Sequence, residues 1–265
     1  MRTAATGGQR LAALVEYDGT AYAGFQWQKG RPTVQSALEQ SLSCIVGHAV
    51  RVVGAGRTDA GVHAQGQVVH LRVTWKHSLA DLQRAWSASL PRDVVVHALS
   101  EVADDFHARY SARSRVYRYQ IYSAPVRSPL YQRCAWHVDR RLAVERMQQA
   151  VALLVGRHDL ASFGRSPQGE NTVRTVLRAV VWRQGALVCV EVEADAFLQH
   201  MMRRVAASLV TVGLGRLAVD EFGAIIEGRN RHLVAAMAPP QGLCLMAVHY
   251  DPGALNWIPA QPASW

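Results

Sequence analysis

Val53-Gly-Ala-Gly-Arg-Thr-Asp-Ala-Gly-Val-His63 is the stretch around which the rest of the chain can be ordered. Gly54, Gly56 and Gly61 permit backbone angles that larger residues resist, so a tight loop is expected here. Val50–Val53 leads into it and Gln67–Val73 leads out, both rich in β-branched residues, so the loop should join two strands. It carries Asp59, the one acidic residue between Glu39 and Asp81, among Arg51, Arg57, Arg72 and Lys76. Taken alone, Thr58-Asp59-Ala60-Gly61 suits a turn in which Asp59 bonds its own backbone. Two phosphate-binding readings fail: a dinucleotide fingerprint starting at Gly54 needs glycine at 59, and no Gly-Lys-Ser/Thr follows.

Working outward, Leu11–Tyr17 reads as a strand and Asp18-Gly19 as a turn. Thr33 caps a predicted helix with Val34, Leu38, Leu42 and Ile45 on one face, ending at Gly47. Beyond the loop, Ser78 and Asp81 stand at capping distance ahead of Leu79, Leu82 and Trp86, Leu90-Pro91 stops the helix, and Val94–Leu99 is a strand. The order is β-α-β-β-α-β, the split βαβ or ferredoxin-like pattern. The second half repeats it: a strand over Val116–Tyr122, a helix through Val144, Met147, Val151 and Leu154 to Gly156, then a hairpin of Val173–Trp182 and Ala186–Ala194 about Gln184-Gly185. A helix through Met201, Val205, Leu209 and Val212, a short helix over Asp220–Glu227, and a strand over Leu243–His249 complete it. The expected class is α+β, with two RRM-like (ferredoxin-like, βαββαβ) halves whose antiparallel sheets meet at a central basic cleft. Residues 11–110 form the N-terminal half and 111–251 the C-terminal half, with a disordered N-terminal tail at 1–10 and a C-terminal tail at 252–265. The junction Phe106–Ser114 has no Pro/Gly linker, so tight association of the halves is expected.

With 265 residues, 49% of them hydrophobic, the chain can bury a sizeable core, and disorder is excluded as its general state. The formal charge is +9; Lys29 and Lys76 are the only lysines, so 27 of the 29 basic residues are Arg. Arginine suits bidentate phosphate contacts, although a GC-rich genome also enriches it. The net positive excess favours an acidic partner, nucleic acid first and a membrane surface second. Cys44, Cys134, Cys189 and Cys244 form no C-x-x-C pair, and no histidine has a zinc partner at helical spacing, so no metal is expected. The first residues lack an apolar signal core, and no apolar run approaches membrane-spanning length, which predicts a cytoplasmic protein with no membrane role.

The string Gly56-Arg-Thr-Asp-Ala-Gly-Val-His63 resembles the signature of the tRNA pseudouridine synthase A (TruA) family. The resemblance continues through Tyr17-Asp-Gly-Thr-Ala-Tyr-Ala-Gly-Phe-Gln-Trp-Gln28, Thr33-Val-Gln35, Gly66-Gln-Val-Val-His70, Asp105-Phe-His-Ala-Arg-Tyr-Ser-Ala112, Tyr117-Arg-Tyr119, Leu160-Ala-Ser-Phe163, Arg174-Thr-Val176 and Phe197-Leu-Gln-His-Met-Met-Arg203, roughly residues 11–251. It implies Asp59 as nucleophile, Arg57 as the cation that orients it, Tyr117 as the ring packing on the target base, and Arg203 as a basic group supplied by the second half. It further implies a cofactor-independent isomerase, acting on uridines 38–40 of the tRNA anticodon stem-loop, and a homodimer. Arg204, Ala207 and Gly164–Asn171 depart from the family pattern.

The chemistry of the side chains agrees with part of this. An aspartate is anionic near neutral pH and attacks without a partner base. A glycosidase needs two flanking carboxylates, and Asp59 has no acidic neighbour in sequence. Arg57 suits a phosphate equally well, Tyr117 shares an apolar strand face with Tyr119 and Ile121, and Arg203 suits a solvated helix face. A non-catalytic RNA-binding protein of two RRM-like halves fits charge and topology alike, although the RNP1 string is absent. A nucleoside glycosylase is a third reading.

Overall fold

A computed structural model describes residues 8–167, 169–234 and 236–258. Among the described residues there are ten strands, mostly antiparallel, and five α-helices, which makes the chain α+β. It divides into two compact units: one runs to Arg113 and takes the chain back from Ala247, and the other is Ser114–Met246.

In the first unit the order is β1 (Gln9–Tyr17), α1 (Val34–Val46), β2 (Val53–Gly54), β3 (His63–Val73), α2 (Leu79–Ser89) and β4 (Val94–Glu101). β1 lies between β4 and β3, β2 pairs with β3, and every pairing is antiparallel. Both helices start where the capping residues predict: the Thr33 hydroxyl accepts from Ser36 N–H and the Ser78 hydroxyl from Asp81 N–H. Gly47 ends α1 at φ 73°, a left-handed angle at which a side chain is strained. Leu38, Leu42, Leu82 and Trp86 are fully buried, as the helical spacing predicts.

β1 is buried on both faces, which explains its unbroken apolar run. Ala12 and Leu14 join Ala55, Val68, Ala98, Phe106 and Ala108 in one cluster, against which Val248, Tyr250, Leu255 and Trp257 pack. Residues 252–258, read from sequence as part of a tail, thus belong to this unit; Ile258 bridges Leu99 with two backbone hydrogen bonds. At the other end, Gln9 and Arg10 already belong to β1, while residues 1–7 of the expected N-terminal tail lie outside the described residues.

The strand expected at Val50–Val53 is displaced to Val53–Gly54. Val50 and Val52 are buried, but side chains of α1 hold their backbone: Ser43 Oγ accepts from Val50 N–H, Glu39 Oε1 from Val52 N–H, and Gln35 Nε2 donates to the Val52 carbonyl. With these groups bonded to a helix, no ladder forms until Val53.

The second unit holds β5 (Ser114–Ser123), β6 (Trp136–Val138), α3 (Val144–Ala152), β7 (Gly156–Asp159), β8 (Val173–Gln184), β9 (Leu187–Ala194), α4 (Met201–Gly213) and α5 (Val219–Gly228). β9 lies between β5 and β8, β7 pairs with β8, and β6 runs parallel to β5. β10 (Leu243–His249) begins here and ends in the first unit. The β8–β9 turn falls on Gly185, at φ 60°, as expected. Helix α3 stops at Ala152, short of the Gly156 expectation, because Gly156 (φ 116°) opens β7 opposite Val176. No helix among the described residues is long and apolar enough to cross a membrane.

Candidate active site

Asp59 stands on the connection between β2 and β3, and the packing around it explains the residues of that stretch. The ladder between these strands ends with Ala55 N–H donating to the Val68 carbonyl at 2.8 Å. Gly54 lies under the Phe25 ring, which a Cβ at 54 would meet at 2.6 Å. From the other side the chain over Gly19–Phe25 presses on the loop: Phe25 N–H donates to the Thr58 carbonyl at 3.1 Å, and Gly61 N–H to the Tyr22 carbonyl at 3.3 Å. Gly24 combines a φ of 103° with an approach so close that a Cβ would stand 2.7 Å from the Thr58 carbonyl oxygen. Within the loop the Asp59 carbonyl accepts from Val62 N–H at 3.2 Å, a backbone turn bond.

Below the loop sits a buried polar network that the sequence reading did not single out. Gln67 is completely buried; its Nε2 donates to the Gly56 carbonyl at 2.9 Å and to the Tyr17 hydroxyl at 3.4 Å, and its Oε1 accepts from Gly56 N–H at 3.3 Å. The Tyr17 and Thr58 hydroxyls are 2.8 Å apart. Either of these two hydroxyls can be the donor, since each carries one proton and two lone pairs. The signal available in sequence was a glutamine within the apolar strand Gln67–Val73, placed opposite Val15 of β1.

Asp59 is half-buried and Arg57 is exposed. Among the described residues of this unit no ion pair joins these two side chains. Their place on one short loop puts an anion and an arginine on the same surface, two residues apart.

The other two expected residues are in the second unit. Tyr117 lies on β5, opposite Val192 of β9, with its ring buried and 4.7 Å from that of Phe197 in an edge-to-face arrangement. Two residues on, Tyr119 is wholly buried and donates to the Pro239 carbonyl at 2.7 Å; burial raises its hydroxyl pKa far above the ordinary tyrosine value. Arg203, on α4, is half-buried and donates from Nε to the Ala238 carbonyl at 2.8 Å, and Arg204 bonds the Val234 carbonyl. Arg203 is therefore anchored rather than freely solvated.

The three histidines at seven-residue spacing go separate ways. His63 Nδ1 accepts from Gly19 N–H at 3.0 Å, His70 is buried beside His107, and His77 meets the Trp75 ring edge to face. Among the described residues no group of three or more His, Cys, Asp or Glu side chains could hold a metal.

A family described as tRNA pseudouridine synthase matches residues 13–111 and 150–251. The tRNA pseudouridine synthase A of Chloroflexus aurantiacus is 43% identical over 253 residues, covering 94% of this chain and 91% of the relative. That of Roseiflexus castenholzii is 44% identical over 247 residues (91% of each), and that of Neisseria meningitidis serogroup B 43% identical over 263 residues (97% of each). Among solved structures, a dye-decolorizing protein from V. cholerae aligns at a TM-score of 0.20 and 9% identity, too little to bear on the fold. The match of the family over both units, joined to relatives above 40% identity across nearly the whole length, makes this chain a member of the tRNA pseudouridine synthase family.

Proposed function

We propose that this protein converts uridine to pseudouridine in tRNA, at positions 38–40 of the anticodon stem-loop, with Asp59 as the nucleophile. The observation that carries the reading is the Gly56–His63 string set on a loop whose backbone is tied to its surroundings on both sides of Asp59. The reaction breaks the N1–C1′ bond of the nucleotide and forms a C5–C1′ bond; C5 loses its proton and N1 gains one. There is no net redox change and no hydrolysis, so the balance asks for no cofactor. One carboxylate suffices to hold the separated fragment, whether it attacks C1′ of the ribose or C6 of the ring.

Arg57, exposed beside the carboxylate, orients Asp59 or holds a substrate phosphate once RNA is bound. Tyr117 packs on the target base, and Arg203, held by its bond to Ala238, supplies positive charge from the second half. In this proposal both halves are RRM-like and line a basic cleft, the protein acts in the cytoplasm as a homodimer, and the +9 chain grips the A-form backbone while the base is flipped out.

The deciding experiment uses tRNA tritiated at uridine C5, with no added metal or nucleotide. The synthase releases tritium to water and keeps the base attached. Retained tritium with bound tRNA would establish a non-catalytic binder instead, and free uracil a glycosylase. Light scattering tests the dimer; a monomer with full tRNA affinity would remove it.

A further inference from the structure

We infer that Gln67, Tyr17 and Thr58 are positioning residues for the Asp59 loop, acting as a buried clamp that sets the carboxylate's place rather than touching the RNA. The inference rests on the reading of Asp59 as nucleophile. Its basis is geometric. The backbone ladder between β2 and β3 ends at the Ala55–Val68 bond, and the next residue, Gly56, is met by the side chain of Gln67 instead of by a neighbouring strand. The amide offers an acceptor to Gly56 N–H and a donor to its carbonyl, as a further strand residue would. This pairing also fixes which way the amide faces, since reversal would set oxygen against oxygen. The second amide proton goes to Tyr17, whose hydroxyl is hydrogen-bonded to that of Thr58, one residue before Asp59.

Each part of this chain is matched to its neighbour and removed from solvent: Gln67 is 0%, Tyr17 2% and Thr58 6% exposed. A buried network of this kind resists displacement, because breaking one of its bonds leaves a buried donor or acceptor to be satisfied elsewhere. Above the loop, the bonds from Phe25 and Gly61 and the absence of room at Gly24 hold the same backbone from the opposite side. Asp59 thus projects from a segment fixed at Gly56, Thr58 and Gly61, although it is itself on a loop. The chemistry benefits because a carboxylate that must reach one carbon of a flipped nucleotide tolerates little error; a misplacement of about 1 Å can cost ~100-fold in rate.

The test is a set of single-turnover rates on C5-tritiated tRNA with enzyme in excess, alongside tRNA Kd by filter binding. Gln67→Met preserves length and removes both amide functions. It should slow isomerisation by about 10- to 100-fold while Kd stays within about threefold, because the clamp lies beneath the site and not on its surface. A folded Gln67→Met enzyme at the wild-type rate would overturn the inference, as would a rate loss matched by an equal loss of affinity. Should that variant fail to fold, Thr58→Val and Thr58→Ser decide: the serine keeps the hydroxyl, so the valine enzyme should be at least about tenfold slower than the serine one, and equal rates would overturn the clamp. Asp59→Asn run in parallel separates the two readings. If it is inactive while Gln67→Met runs at full rate, the clamp alone falls. If Asp59→Asn turns over normally, the nucleophile falls and the clamp with it.

Discussion

Acidification should weaken the first unit through a single imidazole. His70 is 7% exposed on β3, and its Nδ1 accepts from Ala108 N–H at 3.0 Å, so the ring is neutral with its proton on Nε2. Burial lowers its pKa from 6.5 to about 4, helped by the nearby charge of Arg10 and by His107, whose ring lies 4.6 Å away. The folded state therefore resists a proton that the unfolded chain accepts at the ordinary value. Stability is complete above pH 6.5, falls as pH drops from there to about 4, and levels off below, where both states carry the proton. A separation of this size corresponds to at most about 3 kcal/mol, at 1.36 kcal/mol per unit. For a chain of this size that is a fall of about 6–12 °C in Tm. Burial likewise lowers the pKa of His107, and carboxylates titrate nearby, so the measurement is a difference. Thermal melts of the wild type and His70→Asn, whose amide oxygen replaces Nδ1 as acceptor, are compared from pH 7 to pH 4. The wild type should lose more than the variant across that window. A wild-type-minus-variant difference that does not change with pH would refute the argument.

The remaining expectations concern the site and its supports. Asp59→Asn should bind tRNA almost as the wild type does and release no tritium; measurable turnover would sink the nucleophile. Tyr117→Phe should keep the ring contact with Phe197 and most of the single-turnover rate, whereas Tyr117→Ala loses a stacking surface worth about 1–3 kcal/mol. If the Phe and Ala variants are equally slow while both are folded, the hydroxyl takes part. Gly24→Ala should destabilise by more than the ~1 kcal/mol of an ordinary glycine effect, because it combines left-handed φ with a clash against the Thr58 carbonyl; a chemical melt unchanged from wild type would contradict the packing. Glu191→Gln should cost about 3 kcal/mol or more, since Glu191 is buried and accepts from both Arg118 and Arg178, and a loss under about 1 kcal/mol would mean the pairs are solvent-screened.

Where local rules act alone, sequence reading located the elements. Thr33 and Ser78 begin helices because a hydroxyl meets an N–H three residues on, and Gly47 and Gly185 turn the chain because each holds a positive φ. The reading missed what depends on distant partners. Val50–Val53 has every local mark of a strand, yet Glu39, Ser43 and Gln35 take its backbone bonds. β6 and β7 have three and four residues, too few for a period to register. Leu255 and Trp257 looked like tail residues because they follow the last strand and Asp251-Pro252-Gly253 without a helical or strand period; they pack on a cluster that includes Ala12 and Leu14 of β1, Val68 of β3 and Ala98 of β4.

The site divides the same way, for a chemical reason. Asp59 could be picked out because a lone acid among arginines is conspicuous and because the Gly56–His63 string around it resembles a family signature. Gln67 was passed over, because an amide carries no charge and its value lies in reaching Gly56 across the fold. Gly24 was hidden too: nothing in Tyr17–Gln28 tells that a backbone carbonyl from another stretch stands where its side chain would be. Groups that react with a substrate must be charged, nucleophilic or aromatic, and so they stand out. Groups that hold them in place need only shape and one matched pair of hydrogen bonds, which any amide or glycine supplies. A nucleophile on a loop works only if such groups remove the loop's freedom, so under the proposed function Asp59 relies on Gln67, and the rate of Gln67→Met measures how far.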